Sequence, residues 1–265
     1  ENATGCADFP AADFLHLPAL NNVRVYGMMV CIKSRKESDA RMMEDIKQEL
    51  TDALSGAEKV LIGIGGEWKL GDDGRDIRER SLKDRAQAGL KEAYDALYAL
   101  VKDKDYYVVT TLTDAAVHET DFDPGRMVAP CGNIHWRQCP DACTKDIWEE
   151  GEIPDDICPH CGRPLTGNTL DSGNYIEEGY LPRWEAYKKW QTGTLNRALV
   201  ILELGEGFGT PTVMRWPFEK IAFFNQKSRF FRIHESFYQI PGEVRERAYG
   251  VRCNSVDFIR DLAGI

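Results

Sequence analysis

Two periods of apolar spacing alternate along the chain. "SDARMMEDIKQELTDAL", Ser38–Leu54, sets Met42, Met43, Ile46, Leu50 and Leu54 at helical spacing behind a polar start, and predicts a helix with one inward face. "EKVLIGIGG" follows: Val60 to Ile64 is a short β-branched run ending in glycines, which reads as a buried strand entering a tight turn. The stretch Ala86–Asp103 returns to helical spacing with Leu90, Tyr94, Leu97, Leu100 and Val101 inward, and "DYYVVTTLT" is the next strand. Further on, "YLPRWEAYKKWQTGTLN" predicts a helix after Pro182, Ala198–Leu204 a strand, "PFEKIAFFNQ" a helix, "SRFFRIH" a strand and "SVDFIRDLAGI" a closing helix. Strands alternating with helices predict an α/β fold with a Rossmann-like, doubly wound parallel sheet.

Three stretches break that rhythm. Residues 1–30, rich in Asn, Pro and Ala, read as irregular, with the apolar "DFLHLPAL" (13–20) a candidate partner-binding segment. Gly66–Ala86 is charged and glycine-rich; its first half reads as a mobile loop and "DDGRDIRER" as a solvated face. Residues 130–165 carry paired cysteines and read as an insertion. The expected organisation is an N-terminal extension (1–37), a Rossmann-like domain in two parts (38–129 and 181–265), and a small metal-binding lobe between them (130–180).

Composition narrows the function classes. At 265 residues and 43% hydrophobic content, the chain is long enough for a sizeable core. A formal net charge of −10 without a basic stripe argues against nucleic acid as a partner. No run of about 18 apolar residues predicts a membrane span. The first residues lack a basic region followed by an apolar one, so the expected location is cytoplasmic.

Four of the eight cysteines, Cys139, Cys143, Cys158 and Cys161, follow C-x3-C-x14-C-x2-C. Four thiolates suit zinc in a tetrahedron and leave no open coordination position, so the expected ion is structural. His160, inside the second pair, should point outward. The alternative is two local disulfides, which the expected compartment disfavours. Two strand-to-glycine turns form a second constellation: Gly63, Gly65 and Gly66 in "IGIGGEW", and Gly205, Gly207 and Gly209 before Thr210 in "ELGEGFGTP". Glycines at strand ends let backbone N–H groups approach a phosphate, although tight turns use glycine for their own sake. Neither turn matches G-x-G-x-x-G. Glu206 would repel a phosphate unless it points away.

The order strand, glycine turn, helix, "TTLTD", "CGN", two cysteine pairs and "LELGEGFGTP" resembles the sirtuins, and within them the bacterial macrodomain-linked branch of protein ADP-ribosyltransferases. "LVKDKDYYVVTTLTD", "ICPHCGRPLT" and "ILELGEGFGTPTVMRWPFEKI" carry the likeness, which is strongest from Tyr94 to Leu262. The resemblance implies NAD held between a Rossmann-like domain and a zinc lobe. It implies cofactor contacts at Gly63, Gly65, Gly205, Gly207, Thr210, His234 and Cys253, with Ile233 and Asn254 beside the last two. Asp114 matches the Asp of the family's "T-x-N-x-D" segment.

The departures are equally specific. Cys131 stands where deacylating members carry a histidine general base, and Leu112 stands where they carry the segment's Asn. Asp114 and Cys131 are therefore the candidate catalytic residues. The implied function is cleavage of the nicotinamide–ribose bond of NAD, with ADP-ribosyl transfer to, or deacylation of, a protein. The alternative is an inactive module that binds NAD, ADP-ribose or a protein partner, or a scaffold that has lost the pocket; a missing general base alone costs about 10²–10⁴-fold. Trp184, Tyr187 and Trp190 share one helix face and read as core.

Overall fold

The computed structural model describes residues 21–265, so the expectations placed on residues 1–20, including the partner-binding segment 13–20, lie outside the described residues. The chain divides into two compact units, residues 1–45 and 46–265. Helix α1 spans Asn21–Gly56, starting well before Ser38 and including residues 21–30, which had read as irregular. No proline interrupts this run, and Ser38 sits inside the helix rather than capping it. Leu50 and Leu54 are buried as their spacing predicts, whereas Met42, expected on the same inward face, is exposed.

The strands of the main sheet are β1 (Lys59–Ile64), β2 (Asp105–Thr110), β3 (Met127–Val128), and, after three lobe strands, β7 (Leu199–Leu204), β8 (Ser228–Ile233) and β9 (Ala248–Val251). They lie in the order β3-β2-β1-β7-β8-β9 with every pair parallel. Strands β3 and β9 are short and had no apolar run long enough to predict them. Between the long strands run α2 (Ala88–Val101), α3 (Leu181–Thr192) and α4 (Arg215–Phe224), and α5 (Ser255–Leu262) closes the chain. Strands β1 and β7 are buried almost throughout, as a sheet covered on both faces requires. On one face Leu61, Val109, Ile201 and Phe230 meet Tyr187 of α3 and Met214, Phe218 and Ile221 around α4. Tyr187 is buried, with Trp184 and Trp190 packed beside it, so the aromatic face of α3 is core. Helices α2 and α5 pack against each other.

The sheet order reverses direction between β1 and β7. In open α/β sheets, ligands bind outside the carboxyl ends of strands at such a switch point. Both glycine turns leave the sheet there.

The lobe strands β4 (Gly132–Gln138), β5 (Trp148–Glu149) and β6 (Thr166–Thr169) form a separate antiparallel sheet in the order β5-β4-β6. Gly132 enters β4 at φ +90°, and an added Cβ would lie 2.1 Å from the Asn168 carbonyl oxygen, so only glycine fits.

The first half of Gly66–Ala86, expected as a mobile loop, is anchored instead. Residues Gly66–Trp68 make one 3₁₀ turn, and Trp68 is fully buried with its ring 4.8 Å from that of Tyr94. Leu70 and Leu82 are buried as well. A single buried indole outweighs the polar composition around it. The charged "DDGRDIRER" is solvent-facing, laced by Arg75 to Asp73 and Asp84 and by Arg78 to Asp76.

Candidate functional site

The four lobe cysteines converge. Their sulfurs all lie within 4.8 Å of one another, with Cys139 3.5 Å from Cys161 and Cys143 3.6 Å from Cys158. Thiolates about 2.3 Å from a tetrahedral zinc stand about 3.8 Å apart, so the set fits zinc. The close approaches run between the two pairs, and none is near the ~2.05 Å of a disulfide, so the local-disulfide alternative does not describe the lobe. Tight turns present the sulfurs: Ala142 N–H donates to the Cys139 carbonyl, and Gly162, at φ +72°, donates to that of Cys158. Trp148, Ile153 and Leu165 pack behind Cys139 and Cys158. The exposed His160 turns outward to Asp146, 3.1 Å away.

At the sheet's switch point, the two glycine turns interlock. A Cβ on Gly63 would lie 2.4 Å from the Met214 sulfur, so this glycine admits the neighbourhood of α4. A Cβ on Gly65 would lie 2.4 Å from Glu206 Oε2 and 2.5 Å from Glu206 Cα. Reciprocally, Gly205, at φ +67°, would place a Cβ 2.6 Å from Glu67 Cβ. Each turn is therefore covered by the glutamate of the other. Their backbone groups are tied together too: Gly65 N–H donates to Leu204 O, Glu67 N–H to Gly205 O, and Gly205 N–H to Ile233 O. An added Cβ on Gly207 would only touch the Phe237 ring at 3.8 Å.

Glu67 is the hub on the α5 side. One carboxylate oxygen accepts from both Ser255 N–H (2.7 Å) and Ser255 Oγ (2.6 Å), and the other accepts from Glu235 N–H (2.9 Å). Ser255 Oγ in turn accepts from Trp68 Nε1 at 2.9 Å. The next two backbone donors, Ser236 and Phe237 N–H, point to His234 Nδ1 at 2.9 and 3.0 Å. That nitrogen is an acceptor, so His234 is held as the neutral tautomer with its proton on Nε2, in keeping with a pKa lowered by burial. Burial and the nearby Glu67 push the Cys253 thiol up to about 12.

On the other side, Glu206 is buried and accepts from Thr111 Oγ1 at 2.6 Å. Burial raises its carboxyl to about 7, against the pull of the Thr111 bond. Arg215 fixes this turn by donating to the Glu206 and Phe237 carbonyls, and is itself held 3.3 Å from the buried Glu203. Arg232 clamps Glu203 with two bonds of 2.6 and 2.9 Å.

The sequence-derived catalytic candidates flank this region. Cys131 is buried with its sulfur 4.0 Å from Thr210 Oγ1. Burial pushes its thiol up to about 11, and Glu206 adds to the shift, so at neutral pH it is a thiol and a poor nucleophile. Asp114 is buried, accepts from Leu70 N–H at 2.6 Å and from Ala116 N–H at 3.1 Å, and has its carboxyl raised by burial. It lines a cavity of about 320 Å³ together with Leu112, Thr111, Leu70, Lys69 and Arg80. Cys131, Thr210 and Glu206 thus form one group, Glu67, His234 and Cys253 a second, and Asp114 stands by the cavity. Glu67, Ser255 and Thr111 had no part in the sequence reading. A glutamate placed directly after a strand-end glycine turn, where backbone donors converge, was the available signal.

No family model matches the chain. It is 22% identical over 174 residues to a protein ADP-ribosyltransferase of Staphylococcus aureus, covering 59% of this chain and 55% of that protein. A probable bifunctional ADP-ribose hydrolase/ADP-ribosyltransferase of Fusarium oxysporum f. sp. cubense is 33% identical over 85 residues, covering 31% of this chain and 14% of that one. The chain thus spans about half the length of the first relative and a small part of the second. Among solved structures, Sir2 bound to acetylated peptide superposes with a TM-score of 0.55 at 11% identity, covering 82% of this chain and 97% of that one. A Sir2 complex with a p53 peptide and NAD+ superposes with a TM-score of 0.52 at 12% identity, covering 82% and 96%. A six-stranded parallel sheet, a lobe whose four cysteines fit zinc, and these likenesses give one conclusion: the chain has the sirtuin fold and is similar in sequence to protein ADP-ribosyltransferases.

Proposed function

We propose that this chain is a sirtuin-like, NAD-dependent enzyme that transfers ADP-ribose to a protein. The carrying observation is the pair of glycine turns at the β1–β7 switch point, beside a cavity walled by Asp114 and Thr111. This is where an open α/β sheet takes a nucleotide. The sirtuin fold and the similarity to an ADP-ribosyltransferase support the substrate class. Bound NAD would supply the nicotinamide leaving group. The chain's part is to enclose the reacting carbon and to face the developing positive charge with the Asp114 carboxyl. The two backbone N–H bonds hold that group rigid. The cysteine lobe would keep zinc as a structural ion, which suits a reducing compartment such as the cytoplasm.

A specific observation favours a second reading, a module that binds the nucleotide or ADP-ribose without turnover. Leu112 offers no hydrogen bond to the cavity, and Cys131 is a protonated, buried thiol rather than a base. Nicotinamide release from NAD separates the two readings. Release that drops about 10²-fold in Asp114→Asn supports the enzyme. Calorimetric binding of NAD without release supports the module. Release that ignores Asp114→Asn removes that residue from the site.

A further inference from the structure

The donors that surround the two glutamates at the switch point are already committed. The glycine turns spend Gly65, Glu67 and Gly205 N–H on carbonyls of the adjoining strand and turn. Three successive N–H groups follow β8, those of Glu235, Ser236 and Phe237, and successive backbone donors are a group that elsewhere holds anions. Here the group closes on Glu67 and His234. The first N–H of α5 and the Ser255 hydroxyl, a further anion-seeking pair, close on the same Glu67 carboxylate. Glu67 thus receives three charge-assisted bonds from two separate elements, the pattern in which a phosphate is held. Its side chain lies directly over Gly205, while Glu206 lies directly over Gly65. The space that glycine leaves at both turns is taken by carboxylates.

We propose that Glu67 is an internal anion standing at the phosphate position of the nucleotide site, and that Glu67 and Glu206 together are specificity-determining residues that set the site against a pyrophosphate. This rests on the nucleotide site proposed above; because NAD and ADP-ribose both carry that pyrophosphate, it weighs against the transferase reading and for a site that takes the nucleoside part. A pyrophosphate entering here meets two carboxyls and finds the Ser255 and Glu235 donors taken, whereas an uncharged nucleoside meets no such opposition. The chain's ligand preference is therefore inverted relative to an open phosphate cradle: the diphosphate adds nothing to binding, or subtracts from it. Replacing Glu67 frees Ser255 N–H, Ser255 Oγ and Glu235 N–H for an external anion, and replacing Glu206 removes the second carboxylate.

The test is a calorimetric titration of the full chain at about pH 8.5, where Glu206, raised to about 7, is ionised, with ADP-ribose and, separately, with adenosine. Wild-type protein is expected to bind ADP-ribose no more tightly than adenosine. Glu67→Gln and Glu206→Gln are each expected to tighten ADP-ribose at least tenfold, leaving adenosine within about threefold, with the double variant tighter still. Melting curves establish that each variant is folded. The wild-type comparison needs no variant: ADP-ribose binding tenfold or more tighter than adenosine overturns the proposal and leaves the nucleotide site standing. Folded variants that gain nothing for ADP-ribose overturn it in the same way. If neither ligand binds wild type or the folded double variant, the nucleotide site itself fails, and this inference with it.

Discussion

The cysteine lobe and the strand-end turns both gather polar atoms from distant parts of the chain, but on opposite principles. The lobe assembles four like ligand atoms, from Cys139 to Cys161, that have little to offer one another. The turns assemble donors with acceptors, and Glu67, Glu206 and His234 satisfy their own surroundings. A site of the first kind draws its stability from what it binds, and one of the second kind draws it from itself. The same polar residue types at a turn can therefore mark either a receptor or a lock. Mutual geometry decides between them.

The largest effect should come from the lobe. Structural zinc in thiolate sites carries an apparent binding free energy of about 10 kcal/mol or more. Stripping metal with a chelator, or Cys158→Ser, should unfold residues 130–180. Limited proteolysis and metal analysis would report it as cleavage in the lobe with loss of one zinc per chain. A lobe that resists protease after complete metal removal would erase the contrast. Next is Gly65→Ala. Three Glu206 atoms lie within 3.0 Å of the added methyl, two of them backbone, so the interlocked turns must part. Overpacking of this kind costs about 3 kcal/mol, read as a lowered denaturant midpoint. Gly209→Ala, with open space around it, is the silent control.

The third effect is a pH dependence. The folded-state carboxyl of Glu206 sits near 7, above its ordinary range, because of burial, with Glu203 raising it further and Thr111 and Arg215 pulling it down. A raised carboxyl favours the folded state fully at low pH. That contribution is lost as pH climbs from the ordinary glutamate range through about 7. The stability of wild type relative to Glu206→Gln should therefore fall between pH 5 and pH 8, by on the order of 2 kcal/mol. A flat difference across that range would show that the carboxyl is not held protonated. The smallest effect belongs to Cys131. As a buried thiol it should be replaceable by alanine with nicotinamide release, if present, changed less than about twofold. A tenfold loss would restore it as a reacting group.

Much of this architecture was legible because it rests on repetition. Val60–Ile64 is an unbroken apolar run and Ala198–Leu204 is interrupted only by Glu203, which marks both as strands buried on both faces. The spacing of the four cysteines needed only that two tight turns meet. Elsewhere the local signal pointed the wrong way or was silent. The charged stretch after Gly66 read as loose because composition averages over residues, while Trp68 alone fixes it against Tyr94 and Ser255. Helix α1 began earlier than its apolar spacing indicated, since a helix continues wherever nothing stops it. Glu67 was out of reach for a different reason. Its partners, Glu235 and Ser255, lie in the last part of the sequence, and no window along the chain contains all three.

The strand order has a consequence for how the chain is made. Strand β1 sits at the centre of the sheet, with Lys59 beside Asp105 on one side and Leu199 on the other. During synthesis its first neighbour emerges early, but the second lies roughly 140 residues further along the chain, beyond the whole cysteine lobe. At about 5–20 residues per second, one edge of a mostly apolar strand waits roughly ten seconds or more for its partner. The N-terminal half is thus born with an open hydrophobic edge. It depends on the late arrival of β7 to seal it, so a ribosome stalled within the lobe would leave behind a fragment prone to stick to its own kind.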